Sequence, residues 1–480
     1  MTTEKKTEKK NEKTRPATAI ILAGGKGTRM NSPLPKVLHP VCGKPMIEKV
    51  VTACRSAGIE DVRIIIGHGG DLVRTVVEPW GVQTFRQAQQ LGTGDAVKSA
   101  QVDSIQGDVI ILNGDHPLIE AEDIHHFLKT FREEKLDLAV VTCMKKIPGS
   151  FGRIVRHQGS LRAIVEAKDA SADTLKIKEI NTGIYVMQAE MLQDYLPRIQ
   201  NHNVKSEYYL TDIVSLAVDD QCKVMPILSK PSVAFGVNTQ SELARANKIA
   251  FRRKARQLLD SGVLMLDPAN TYIEPSVEIG PGAVIYPQVY LRGRTKIGSF
   301  TSIEPNCYIV DSEIAESVTI RANCYIESCR ISQRASIGPF ARLRPETEIG
   351  EEAHVGNFVE MKKVKFGSRS KAGHLTYLGD AEIGVDTNIG CGTITCNYAA
   401  DRKKYKTKIG DGVFVGSDSQ FVAPITVGDH AVIGSGSTIT KDVPARALGV
   451  ARGRQVNVEN YVKVPAPLPP EDLPEQEKKK

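Results

Sequence analysis

Residues 22–36, LAGGKGTRMNSPLPK, gather three glycines, an arginine and two lysines into one short segment. Glycine lets backbone N–H groups come close to a ligand. Arg29 and Lys36 add fixed positive charge of the kind that steadies phosphate during phosphoryl or nucleotidyl transfer. The spacing fits neither of two common phosphate loops. A Walker loop needs four residues between its first Gly and Gly-Lys-Ser/Thr, and a dinucleotide fingerprint begun at Gly25 would need a glycine where Met30 stands. Further on, the apolar run Val109–Leu112 ends in Asn113-Gly114-Asp115. At such a strand end Asp115 either holds Mg2+ or caps the next helix. A third candidate is His374: an imidazole titrates near the pH at which a base must take a proton from an amine, although an isolated histidine is more often structural.

The elements around these residues form two patterns. From Thr18 onward, buried-strand runs (Ala19–Ala23, Val62–Ile66, Val109–Leu112) alternate with helical patterns at Ile47–Ala57 and Asp71–Val77. That alternation predicts an α/β, Rossmann-like domain on a mostly parallel sheet, with ligands beyond the carboxyl ends of the strands. Both the glycine loop and Asn113-Gly114-Asp115 fall there. Residues 241–262 read as a polar, basic linking helix. Beyond it, Ile273, Ile279, Ile285, Leu291, Ile297, Ile303 and Ile309 stand six apart. The phase slips by one to Ile314, Ile320 and Ile326, and again to Ile331, Ile337, Leu343, Ile349 and Val355. Ile409, Val415, Phe421, Val427, Ile433 and Ile439 resume the step, and glycine often follows the aliphatic residue. A six-residue period is the mark of a parallel β-helix built from hexapeptide repeats. Segments 362–376 and 397–408 break the step and are expected to project as loops that carry function. The expected layout is a disordered basic tail over 1–15, an α/β domain over 16–240, the linker over 241–262, a β-helix over 263–455 and a polar tail over 456–480.

Composition narrows the classes. The net charge is +7, and the first fifteen residues hold six Lys or Arg against three Glu. Such a modest surplus suits anionic small substrates, and no recognition module or basic patch for nucleic acid stands out. Nine cysteines, an odd number with no C-x2-C pair, signal neither a disulfide framework nor a zinc site. No apolar run approaches the length of a membrane span and no secretory signal is visible, so a cytoplasmic protein is expected.

The loop G-x-G-T-R-M with Pro35-Lys36 resembles that of the sugar-nucleotide pyrophosphorylases. Ordered companions follow: Gln87–Gly94, Gly114-Asp115, Gly152-Arg153, Val165–Lys168, Glu179–Gly183 and Gly236–Asn238. In the second half Gly338–Pro345, Val359–Lys363, Lys371–Asp380 and Thr395–Tyr398 match an acetyltransferase β-helix. Together they resemble the bifunctional N-acetylglucosamine-1-phosphate uridyltransferase/glucosamine-1-phosphate N-acetyltransferase family over residues 17–455, and the resemblance implies a nucleotidyltransferase domain over 16–240 and a left-handed β-helix acetyltransferase domain over 263–455. The resemblance implies acetyl transfer from acetyl-CoA to glucosamine 1-phosphate, then coupling to UTP with release of pyrophosphate, giving UDP-N-acetylglucosamine for envelope synthesis. It implies that Leu22, Ala23, Gly24, Gly25, Gln87, Gly92, Thr93, Asn113 and Gly114 hold the nucleotide. Gly152, Glu166 and Asn181 would hold the sugar, Asp115 and Asn238 the Mg2+, and Arg29 and Lys36 the phosphates. For acetyl transfer it implies His374 as general base, Arg344 and Lys362 on the sugar phosphate, and Tyr377 and Asn388 orienting the sugar. Cys391, Asn397, Tyr398, Ser417, Ser435 and Arg452 would line the acetyl-CoA site, which in this architecture lies between neighbouring prisms of a homotrimer. Two positions depart from the pattern: Asp95 stands where relatives often carry His, and Ala399-Ala400 where they carry Asp-Gly, in a loop one residue longer. Two rival readings remain, a single-activity pyrophosphorylase on an inert β-helix and a non-catalytic scaffold. The intact His374 loop argues against the first, and retention of Lys36, Asp115 and His374 against the second.

Overall fold

The computed structural model describes residues 15–462; the tail expected to be disordered, apart from Arg15, and most of the polar C-terminal tail lie outside them. The chain divides into two compact units, one ending at Asp311 and one beginning at Ser312.

In the first unit nine strands form a mixed sheet: β1 (Ala17–Ala23), β2 (Asp61–Ile66), β3 (Gln83–Arg86), β4 (Asp108–Asn113), β5 (Leu138–Met144), β6 (Arg153–His157), β7 (Ser160–Val165), β8 (Glu179–Gln188) and β9 (Val224–Leu228). The order is β9-β5-β8-β4-β1-β2-β3, with the β6–β7 hairpin attached to β8. β1 runs parallel to β2 and β4, whereas β8 runs antiparallel to β4 and β5. β1 reads as an unbroken apolar run because both faces of the sheet are covered. Ile21 packs with α1 (Met46–Ser56) and α2 (Ala121–Glu133), while Ile20 packs on the other side with Val97 and Ile111. The register sets Leu22 beside Asn113, so the glycine loop leaving β1 lies next to the turn leaving β4. α3 (Gln240–Asp260) fills most of the expected linker. Its first turn is closed by a capping box in which Thr239 accepts from the Glu242 N–H and Glu242 reaches back.

The hexapeptide segment folds as short parallel strands stacked in coils. Within the first unit, residue i pairs with i+20 in the first coil, as Leu264 with Val284, and then with i+18, as Glu278 with Lys296 and Tyr290 with Tyr308. In the second unit some coils are one residue shorter: Glu313 pairs with Arg330 and Glu360 with Tyr377, but Arg342 with Glu360. These shorter coils account for the phase slips. One expectation is corrected: segment 362–376 does not project. It belongs to two long strands, His354–Phe366 and Lys371–Ile383, paired side by side, and a shortened step breaks the period there. Segment 397–408 does project, as a hairpin in which Tyr398 bridges Lys404 and Ala399 donates to the Lys403 carbonyl at 3.0 Å. The turn residues missing at Ala399-Ala400 are supplied by their neighbours. Asp401 accepts from the Lys403 N–H at 2.9 Å, and Arg402 takes the left-handed conformation at φ 64°.

The glycines that follow inward aliphatics have a specific cause. A Cβ on Gly416 would stand 2.5 Å from the Ser435 nitrogen of the next coil, and one on Gly367 would strike the Gly384 carbonyl. Most left-handed corners are held instead by other residues, among them Asn306, Asn323, Phe340 and Phe358. Replacement of Gly367 by alanine should therefore lower stability by about 1–3 kcal/mol through overpacking. An unchanged midpoint in thermal or denaturant unfolding would contradict this reading of the coil contact.

Candidate active sites

In the first unit a cleft of about 330 Å³ opens beyond the ends of β1 and β4. Leu22, Ala23, Gly24, Gly25, Lys36, Gln87, Gly92, Thr93, Asn113 and Asp115 line it, as do Gln90 and Glu207. The loop glycines leave room: a Cβ on Gly25 would meet nothing within 4 Å. Among the described residues, the N–H groups of Gly25, Lys26 and Gly27 have no protein acceptor. The opposite wall is the Gln87–Gly94 segment, fixed by Tyr208 donating to the Leu91 carbonyl at 2.7 Å and Gly94 donating to the Tyr208 carbonyl at 2.8 Å. Gly92 sits at φ 122°, with the Tyr208 backbone 2.5 Å from where a Cβ would stand.

At the cleft floor the Lys36 ammonium bonds the Asp115 carboxylate and reaches Asn238 Oδ1 at 3.1 Å. Asn238 is held by the helix cap, its N–H donating to Glu242 at 2.7 Å. The helix-cap reading of Asp115 fails, because Glu120 and Asp123 form the capping box of α2. Burial pushes the Asp115 carboxyl up, but the Lys36 ammonium and His116 outweigh it and hold it below the usual carboxylate range. Burial, opposed by the Asp115 charge, holds His116 below its ordinary value. Asp115 and Asn238 thus turn two hard oxygens toward one point, a donor set suited to a divalent cation such as Mg2+. Among the described residues no group of three or more His, Cys, Asp or Glu forms a metal cage.

Arg29 lies exposed in the turn Thr28–Met30 and does not line the cleft. Gly114 lies behind the cleft wall, its N–H on the Leu22 carbonyl. Gly152, Glu166 and Asn181 form a neighbouring group: Asn181 donates its N–H to the Gly152 carbonyl at 2.9 Å, and a Cβ on Gly152 would come within 3.2 Å of Glu166. Glu166 faces a second cleft of about 350 Å³ with Asp169 and Asp212. Burial, then the neighbouring carboxylates against Lys205, pushes Glu166 up; burial and Asp169 push Asp212 up to about 6.

In the second unit the stacked coils align Arg342, Glu360, Tyr377 and Ile394 in register, with His374 exposed on the same strand as Tyr377. Arg344 donates to Glu360 at 2.9 Å. Lys362 is held below its ordinary value by Lys404, with Arg344 adding to the effect. Three cations therefore converge beside Tyr377, whose hydroxyl stands with the Asn397 amide over Gly379, while Asn397 bonds Asp380. Asn388 pairs with Lys371, three residues from His374. Cys391, Ser417, Ser435 and Arg452 follow one another along the coils. Asp418 donates to the Cys391 carbonyl at 2.7 Å, Gly436 to that of Ser417 at 2.8 Å, and Arg452 to that of Ser435 at 2.7 Å. Tyr398 is exposed on the hairpin. All nine cysteines are free thiols, six of them buried.

Family models match in the same order: MobA-like NTP transferase domain over 19–195, GMPPB C-terminal domain over 268–371 and bacterial transferase hexapeptide (six repeats) over 406–441. The bifunctional protein GlmU of Bdellovibrio bacteriovorus is 66% identical over 92% of this chain and 97% of its own length. That of Trichlorobacter lovleyi is 44% identical over 92% of this chain and 96% of its own. The chain belongs to the bifunctional GlmU family. It is an enzyme of two transfers, of acetyl from acetyl-CoA to glucosamine 1-phosphate and of uridylyl from UTP to the acetylated sugar phosphate, and its second half is a left-handed β-helix.

Set against the GlmU resemblance, the sequence reading missed three residues. Gln90, which bonds the Gly24 carbonyl at 2.6 Å, stood inside a quoted motif. Lys404 stood in the interrupting segment, and only its place in a basic run pointed to it. Glu207 gave no local signal; it is carried in by the Tyr208 contact.

Two outcomes follow for this GlmU chain. Lys404→Ala should raise the KM for glucosamine 1-phosphate roughly tenfold through loss of a charge-assisted contact and leave uridylyl transfer alone; an unchanged KM would remove Lys404 from the site. For Asp212 the folded-state value near 6 lies above the ordinary 3.8, so its charge costs stability above pH 6 and nothing below pH 4. Asp212→Asn should therefore raise stability at pH 7.5 by about 1 kcal/mol after allowance for partial exposure. The gain should fade between pH 6 and pH 4 in thermal unfolding, and a pH-independent gain would count against burial as its cause.

Proposed function

We propose that the two transfers are carried out at the two sites just described, uridylyl transfer within residues 16–240 and acetyl transfer within 263–455. The observation that carries the first assignment is the convergence of Asp115 and Asn238 on Lys36, with Lys36 and Asp115 lining the glycine-loop cleft. The free N–H groups of the loop receive the triphosphate of UTP, with Gln87, Gly92 and Thr93 around the nucleoside and Gly152, Glu166 and Asn181 around the sugar. Mg2+, held by Asp115 and Asn238, would supply charge neutralisation at the phosphates. A phosphate oxygen of N-acetylglucosamine 1-phosphate attacks the α-phosphorus, and the bond to pyrophosphate breaks. No protein nucleophile is required, since positioning and charge stabilisation carry the step. Lys36 provides fixed charge in the cleft, and Arg29, exposed in the turn that follows the loop, provides a second cation.

In the β-helix, Arg344 and Lys362 hold the phosphate of glucosamine 1-phosphate, and Tyr377 and Asn388 orient the sugar. The amine nitrogen attacks the thioester carbonyl of acetyl-CoA. His374 takes the amine proton, and the carbon–sulfur bond breaks to release the coenzyme thiol. Cys391, Asn397, Tyr398, Ser417, Ser435 and Arg452 line the coenzyme path; Cys391 serves there as a small wall residue, because acyl transfer is direct. The working form is a cytoplasmic homotrimer. Hexapeptide repeats support the trimer, and no described helix is long and apolar enough to cross a membrane.

Release of coenzyme thiol should depend on the 1-phosphate, with glucosamine as the control acceptor, and pyrophosphate should appear from UTP and N-acetylglucosamine 1-phosphate. His374→Ala should abolish the first signal and spare the second. Loss of both together would sink the two-site assignment.

A further inference from the structure

We infer that Asp95 sets base selection in the nucleotide cleft by locking the amide of Gln87 in one orientation. Gln87 is buried in the cleft wall, and its Nε2 donates to the Gly92 carbonyl at 3.1 Å and to Asp95 Oδ2 at 2.8 Å. Both partners can only accept. Turning the amide over would set oxygen against two oxygens, so the geometry leaves one orientation. Both amide hydrogens are thereby used inside the protein, and Gln87 keeps a single function toward the cleft: Oε1, an acceptor, 3.2 Å from where a Cβ on Gly24 would stand.

Lys36 and Asp115 mark the phosphate end of the cleft, and Gln87 and Gln90 lie in the wall formed by the Gln87–Gly94 segment. Facing position 3 of a pyrimidine ring, a lone acceptor pairs with a ring N–H. Uracil offers N3–H. Cytosine presents an unprotonated N3, and its lone pair would face the Gln87 oxygen. Asp95 is thus a positioning residue that acts through Gln87, and the inference rests on the uridylyl assignment above.

The test is the ratio of kcat/KM for UTP to that for CTP, read as pyrophosphate release from the full-length enzyme with N-acetylglucosamine 1-phosphate. Asp95→Leu leaves the Gly92 carbonyl as the one remaining acceptor, so the amide can turn its Nε2 toward cytosine N3 at the cost of that single bond, and the ratio should fall roughly threefold to tenfold. Asp95→Asn keeps an acceptor oxygen for the Gln87 amide and should keep the ratio. Asp95→Ala repeats the leucine test without added bulk, and ligand-induced thermal shifts with UTP and CTP replace turnover for any variant too slow to assay. An unchanged ratio in the leucine and alanine variants overturns the inference, as does an asparagine variant that loses the ratio to the same degree. An unaltered enzyme that releases no pyrophosphate from UTP would instead overturn the uridylyl assignment.

Discussion

Hydrogen-bonded strands stand about 4.8 Å apart, and in the second half of the chain that spacing is imposed on every coil. It decides where glycine is obligatory: at Gly367, Gly390 and Gly416, behind an inward apolar residue, where the next coil's backbone passes within the volume of a methyl group. It also decides the repeat, since three strands and three corners must return the chain to a position one strand-spacing along. Eighteen residues do so in many coils and seventeen in others, and the coil that carries the hairpin at 397–408 takes twenty-six. The same stacking brings Arg344, Glu360 and Tyr377, distant in sequence, onto one small area of wall. The cation cluster is therefore a product of the coil geometry, and the hairpin at 397–406 completes it by carrying Asn397 and Lys404 to the same place.

The first unit solves the positioning problem differently. Its cleft depends on two parallel strand ends lying side by side, Leu22 next to Asn113, and on a helix cap that fixes Asn238 from the far end of the domain sequence. Lys36 joins these parts. Its single positive charge is shared between Asp115 and Asn238, and that sharing keeps the carboxylate ionised despite its burial.

Periodicity made the fold readable. An aliphatic residue every six positions admits few structures besides a stacked prism, and the slips at Ile314 and Ile331 correspond to shortened coils. The glycine loop and Asp115 were legible because strand ends in α/β sheets collect ligands. Segment 362–376 was misread because a five-residue step and a projecting loop break the period alike in sequence; only the pairing of Glu360 with Tyr377 separates them. The antiparallel β8 left no mark in the residue pattern, since a strand buried on both faces looks the same in either direction. Glu207 was invisible for a similar reason: its place depends on Tyr208 docking against Leu91 and Gly94, a contact across more than a hundred residues. Arg29 was legible as a charge, but its exposed position was not.

The stacking has a kinetic side. Each new coil pairs with residues sixteen to twenty positions back, or twenty-six where the hairpin at 397–408 intervenes, so the loop closed at each step is short and its entropic cost changes little along the prism. Such an array has low contact order and can zip outward from any coil that forms first. The sheet of the first unit has no such route, because Ala17 finds Asp108 only after about ninety residues have been gathered between them. Although the strands of the nine-stranded sheet leave the ribosome first, the coils face the smaller closure entropy at each step, and the slow search in this chain belongs to the strands around β1.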